Sequence, residues 1–141
     1  MSPEVIVNDM LPLYRRLSTD DQDSVRLLTV QDLVAMAEKL GPAETQQLLL
    51  PSICATFQDK SWRVRYMAAD HFVQLASAVD ENVIKEDLVP AFINLMRDAE
   101  AEVRTAAAGQ IPGLAKLLDQ TTIIERLLPV TKELADDLSQ H

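Results

Sequence analysis

The chain has one cysteine, Cys54, so no internal disulfide can staple it, and a reducing intracellular compartment is the expectation. Aromatics make up only 4% and glycine occurs three times among 141 residues. A core built on large rings and a fold rich in tight turns are both poor fits to that composition. Positive charge is scarce: 13 Lys and Arg face 22 Asp and Glu, a formal net charge of −9. A phosphate backbone needs clustered cations to displace its counterions, so nucleic acid is not an expected partner, nor is an anionic membrane surface. No apolar run approaches the ~20 residues of a membrane span, and no N-terminal apolar signal region is visible. What is present is 48% hydrophobic residues, mostly Leu, Ala and Val. That is enough to bury a core, and it favours helices packed through aliphatic side chains.

The chain repeats itself. Pro12, Pro51, Pro90 and Pro129 stand 39 residues apart, each preceded by two apolar residues. Asp20, Asp59, Asp98 and Asp137 keep the same spacing, as do Val25, Val64 and Val103, and Arg26, Arg65 and Arg104. Apolar columns follow in step: Leu33, Phe72, Ile111; Ala37, Ala76, Ala115; Leu40, Val79, Leu118. A period near 40 containing two helical patterns predicts an all-α helical-repeat solenoid of the HEAT/armadillo class, with about three and a half repeats. The expected units are 1–41, 42–80, 81–119 and a half repeat at 120–141.

Within a unit, helix A precedes a short acidic turn and helix B follows it. Pro42 suits the first position of an A helix, Ser61 suits the cap of a B helix, and Gly41 suits the end of one. Glu100 and Glu102 suit the positive end of the helix dipole. The recurring proline falls inside helix A, where it removes a backbone bond and should bend the helix. Pro112, between Gly109 and Gly113, predicts an interruption of the third B helix.

Pro, Asp eight residues on and Arg six beyond that are defining positions of HEAT repeats, here Pro12/Asp20/Arg26, Pro51/Asp59/Arg65 and Pro90/Asp98/Arg104. Three segments, DDQDSVRLL (Asp20 to Leu28), DKSWRVRYMAAD (Asp59 to Asp70) and DLVPAFINLMRDAEAEVR (Asp87 to Arg104), resemble the family of scaffold (A) subunits of protein phosphatase type 2A. The resemblance runs through nearly the whole chain, weakest in its first twenty residues and across Gly109 to Thr122. It implies a non-catalytic, cofactor-free scaffold, in the cytoplasm and also the nucleus, whose turns form a ridge holding B-type regulatory subunits. The catalytic subunit would dock on repeats outside this stretch. The implied contact residues are Asp21, Gln22, Asp23 and Ser24, then Lys60, Ser61, Trp62 and Arg63, then Ala99 and Glu100. The alternatives are a generic HEAT adaptor in transport or chromosome organisation, and a HEAT-fold enzyme acting on nucleic acid or a pigment.

Trp62 in a polar turn can be an interface anchor or a side chain folded back onto the neighbouring repeat. The Asp and Arg columns recur in every unit and so are expected to serve the stacking itself: a ladder of Asp20, Arg26, Asp59, Arg65, Asp98 and Arg104. Cys54, among Ile53, Ala55 and Phe57, reads as an inert, at least half-buried thiol. His71 and His141 have no metal-ligand partners at useful spacing. Asp21-Gln22-Asp23 opens like a calcium loop, but Arg26 stands where the loop needs glycine and Asp32 where it needs glutamate. The end repeats should leave Val5, Ile6, Leu13 and Tyr14, and Leu127 and Leu134, partly bare, favouring end-to-end self-association.

Overall fold

In the computed structural model the backbone is described for residues 3–139, and side chains for residues 4–133 and 135. The described residues form seven helical rods: α1 (3–17), α2 (Asp23–Lys39), α3 (42–57), α4 (62–76), α5 (81–96), α6 (101–115) and α7 (120–139). There is no strand among the described residues. The odd-numbered rods are the A helices and the even-numbered ones the B helices. α1, α3 and α5 each pack on the B helix that follows, α2 packs on α4 and α4 on α6, while α3 packs on α5 and α5 on α7. Two layers of helices stacked side by side are the solenoid that the 39-residue period implied.

Every A helix carries a five-residue π segment that ends two residues before its proline: Ile6–Met10, Thr45–Leu49, Ile84–Leu88 and Ile123–Leu127. The N–H groups of Leu11, Leu50, Val89 and Leu128 each donate to the carbonyl five residues back. A proline ring in a regular α-helix would press on the carbonyl four residues before it and leave that acceptor without its N–H. The wider π turn moves the backbone aside where the pressure falls. Proline alone predicted a broken bond and a bend; the compensating π turn was not foreseen.

The second layer is less uniform. α2 is continuous, whereas α4 divides at His71 into Trp62–Asp70 and Phe72–Ala76, and α6 at Gln110 into Ala101–Gly109 and Ile111–Ala115. Pro112 does accompany an interruption, but α4 breaks at the same register position with Val73 in the place of proline. Proline is therefore not the sole cause.

The caps differ from expectation in one place. Ser61 accepts the Arg63 N–H at 3.3 Å and caps α4 as expected. Gly41 has φ −74°, so the left-handed freedom of glycine is not used at the end of α2. It instead leads into Pro42 at the start of α3.

The core runs between the layers. Phe57, Phe72 and Phe92, from α3, α4 and α5, pack ring on ring at 5.1 and 4.8 Å between centroids, each pair worth about 1 kcal/mol beyond area burial. Ile6, Tyr14 and Leu127 were expected to be partly bare but are 1%, 3% and 1% exposed. Ile6 and Leu127 lie on the inward side of π segments, and Tyr14 faces α3. Val5 and Leu13 are exposed, as are Ile124 and Leu128. Leu134 lies outside the residues with described side chains.

Candidate docking ridge

Each intra-repeat turn is built from the same two residues. The Oδ1 of Asp20, Asp59 and Asp98 accepts the backbone N–H two residues on, from Gln22, Ser61 and Glu100, at 2.9, 2.9 and 3.0 Å. A short carboxylate is suited to this, since it reaches its own chain and closes the turn. Six residues later an arginine folds back. Nη1 of Arg26, Arg65 and Arg104 donates to the carbonyl of Asp20, Asp59 and Asp98 at 2.8, 2.7 and 2.7 Å.

The rest of the guanidinium crosses to the next repeat. Arg26 Nε and Nη2 donate to Asp59 Oδ2 and Oδ1, both at 3.0 Å, and Arg65 makes the same pair with Asp98 at 2.7 and 3.1 Å. A planar fork meeting a carboxylate edge-on fixes direction as well as distance. The bonded carboxylates hold both guanidinium pKa values above their ordinary range. Asp137, the fourth member of the Asp column, lies outside the residues with described side chains.

These bridges bring successive turns side by side. Asp21, Gln22, Ser24, Lys60, Arg63 and Ala99 are exposed, while Asp23, Ser61, Trp62 and Glu100 are half-buried. Four of the ten candidate contact residues, Asp23, Ser61, Trp62 and Arg63, touch one another. The Ser61 hydroxyl donates to Asp23 Oδ2 at 2.8 Å, and Arg63 Nη1 lies 3.8 Å from the same oxygen. The Ser61 bond, and then the nearby arginines, hold the Asp23 carboxyl below the usual range. Trp62 is half-buried. It packs against the core, and the Arg63 guanidinium covers its ring at 5.4 Å from the centroid.

Further ties, one between repeats and two within them, were not foreseen. Gln110 Oε1 accepts the Val73 N–H at 3.0 Å, a donor released by the break in α4. The Asp80 N–H reaches Gln46 Oε1 at 3.0 Å. Lys85 sits 3.3 Å from Asp119, whose Oδ1 caps α7 through the Thr122 N–H at 3.2 Å. Gln46 and Lys85 occupy one register column, and Asp80 and Asp119 another. Repetition of the column was the signal available, but different residue types fill it.

The chemistry-capable residues are quiet. Cys54 is half-buried, and burial followed by the charge of Asp87 pushes its thiol pKa up. His71 Nδ1 lies 2.9 Å from the Met67 carbonyl, one helical turn back. His141 lies outside the described residues. Among the described residues no group of His, Cys, Asp and Glu is placed to hold a metal ion, and no helix is long and apolar enough to cross a membrane.

The sequence is similar to known proteins. Residues 81–141 match the PPP2R1A-like HEAT repeat family, and residues 49–79 match the HEAT repeat family. The A-type regulatory subunit of protein phosphatase PP2A from Schizosaccharomyces pombe is 45% identical over 64 residues, which is 45% of this chain and 11% of that protein. The chain thus spans a small part of the length of the curated relative it matches. Stacked helix pairs, Asp–Arg turns and these matches together make the chain a HEAT-repeat solenoid that resembles the A-type regulatory subunit of protein phosphatase PP2A.

Proposed function

We propose that this chain is a non-catalytic stretch of scaffold that holds B-type regulatory subunits of a type 2A serine/threonine phosphatase on its turn ridge. One observation carries the reading: the bidentate Arg26–Asp59 and Arg65–Asp98 bridges set consecutive turns in register, so that Gln22, Ser24, Lys60, Arg63 and Ala99 face outward along one edge. A partner that meets this edge meets a preorganised row and orders few loops on binding. The catalytic subunit docks on other repeats of the scaffold, in either the cytoplasm or the nucleus. Holding both subunits on one rod raises their effective concentration and sets their relative orientation, so substrate choice follows from geometry.

Retention of purified B-type subunits on the immobilised chain tests this. Lys60→Glu combined with Trp62→Ala is expected to lower affinity ~10-fold or more. Glu86→Gln, at an exposed position of α5, is expected to leave it unchanged. Loss of retention in neither variant, or no retention by the unmodified chain, would transfer support to a general HEAT adaptor.

A further inference from the structure

A second surface lies on the B-helix layer, starting beside the third turn and running along the helices. Between α4 and α6 runs a groove of about 650 Å³, lined by Tyr66, Asp70, Glu102, Thr105 and Gly109, among others. Its floor is made of small side chains, its rim carries two carboxylates, and Tyr66 stands in it 38% exposed. Neither Asp70 nor Glu102 takes part in an ion pair among the described residues. In the stacking register Tyr66 follows Leu27, and Met67 follows Leu28, on the neighbouring helix α2. Leu28 is 67% exposed, more than any other large hydrophobic residue among those described.

Gly109 is the second observation. It lies in the helix Ala101–Gly109, where glycine weakens the helix relative to alanine. Backbone conformation does not require it, because no glycine here has positive φ. Packing does not require it either, since a Cβ at this position would meet nothing within 4 Å. Gly113 is the contrast: there a Cβ would come within 2.9 Å of Val73 Cγ2. What the bare backbone of Gly109 does is leave the groove open.

We propose that this groove binds an arginine-bearing, amphipathic segment of a partner protein. Charge complementarity selects it. A guanidinium can lie flat on the Tyr66 ring while donating to Asp70 or Glu102, which an ammonium of the same charge does less well. Apolar residues of the same segment cover Met67 and Leu28. The small floor lets the segment's backbone come close to the α6 helix. The groove meets the turn ridge at Glu102, whereas Asp70 and Gly109 lie farther along α4 and α6 and belong to the groove alone, so Gly109→Met tests the groove without altering the ridge.

Fluorescence anisotropy of a short labelled peptide in which arginines alternate with leucines, titrated with the 141-residue chain, tests the proposal. Asp70→Asn with Glu102→Gln is expected to weaken binding about 5-fold or more. Gly109→Met is expected to weaken it comparably by filling the groove, while the melting temperature holds or rises. Glu86→Gln with Asp87→Asn, removing two exposed charges from α5 on the other layer, is expected to leave binding unchanged. No binding by the unmodified chain would overturn the proposal. So would equal weakening by the α5 control, or full binding by Gly109→Met, because either result would mean diffuse attraction to an acidic protein.

Discussion

The junction between the first and second repeats and the junction between the second and third share one tie and differ in the rest. In both, an arginine bridges its own turn to the next aspartate in bidentate geometry. At the first junction, Ser61 and Arg63 add a further link to Asp23, so adhesion concentrates at the turns. At the second, the equivalent positions hold Glu100, Glu102 and Trp62, which cannot form that link. Adhesion moves to the far end of the B helices, where Gln110 takes the Val73 N–H and Val73 sits against the bare Cα of Gly113. The openings differ as well. A crevice of about 350 Å³ lined by Tyr14, Ser52 and Thr56 lies at the first junction, and the acidic groove lies at the second. A repeat protein can thus keep its stacking rule in a few columns while the remaining columns decide where each junction is tight and where it is open.

The largest expected effect tests the shared tie. Arg65→Ala leaves Asp98, whose side chain is 9% exposed, without its counter-charge, and should cost about 3 kcal/mol in thermal or denaturant unfolding. Arg26→Ala should cost a similar amount at the first junction. Arg97→Ala, which removes an exposed bridge to Glu133, should stay within about 0.5 kcal/mol. Indistinguishable melting temperatures for all three would remove the ladder from the account.

A smaller effect separates the two junctions. Gln110→Ala leaves the half-buried Val73 N–H without its acceptor and should cost about 1 kcal/mol. Hydrogen exchange at the Val73 amide should accelerate, while exchange in α2 should not change. Protection that persists at Val73 would mean that the break in α4 needs no side chain from the next repeat.

An effect confined to alkaline pH belongs to the first junction. Burial pushes the Tyr14 hydroxyl up from 10.0 to about 12, with the charge of Asp32 adding to this and the bond to Ser52 opposing it. The neutral form is favoured in the folded state, so this contribution is fully present below pH 10 and is lost as pH rises from 10 towards 12. Tyr14→Phe should flatten the alkaline fall in stability across that window. An unchanged slope, with early tyrosinate absorbance from both tyrosines, would show that Tyr14 is open to solvent.

Several features were legible in the residues alone because they depend on local chemistry repeated in register. Prolines, aspartates and arginines at a constant 39-residue spacing are enough to imply two helices per unit and a stack of units, since one helix pair cannot bury its apolar side by itself. The Ser61 cap and the half-buried Cys54 follow from near neighbours in the same way. The segments resembling phosphatase scaffold subunits also lay in plain sight. What only the tertiary structure decided concerns pairs distant in sequence. The π turns relieve the proline through the shape of the whole A helix. Asp23, Ser61 and Arg63 face one another and not only solvent, Val73 meets Gln110, and Ile6, Tyr14 and Leu127 find cover. Such contacts depend on the angle and offset between neighbouring rods, and a linear pattern of polar and apolar residues does not specify those to the ångström on which a hydrogen bond or an open groove depends.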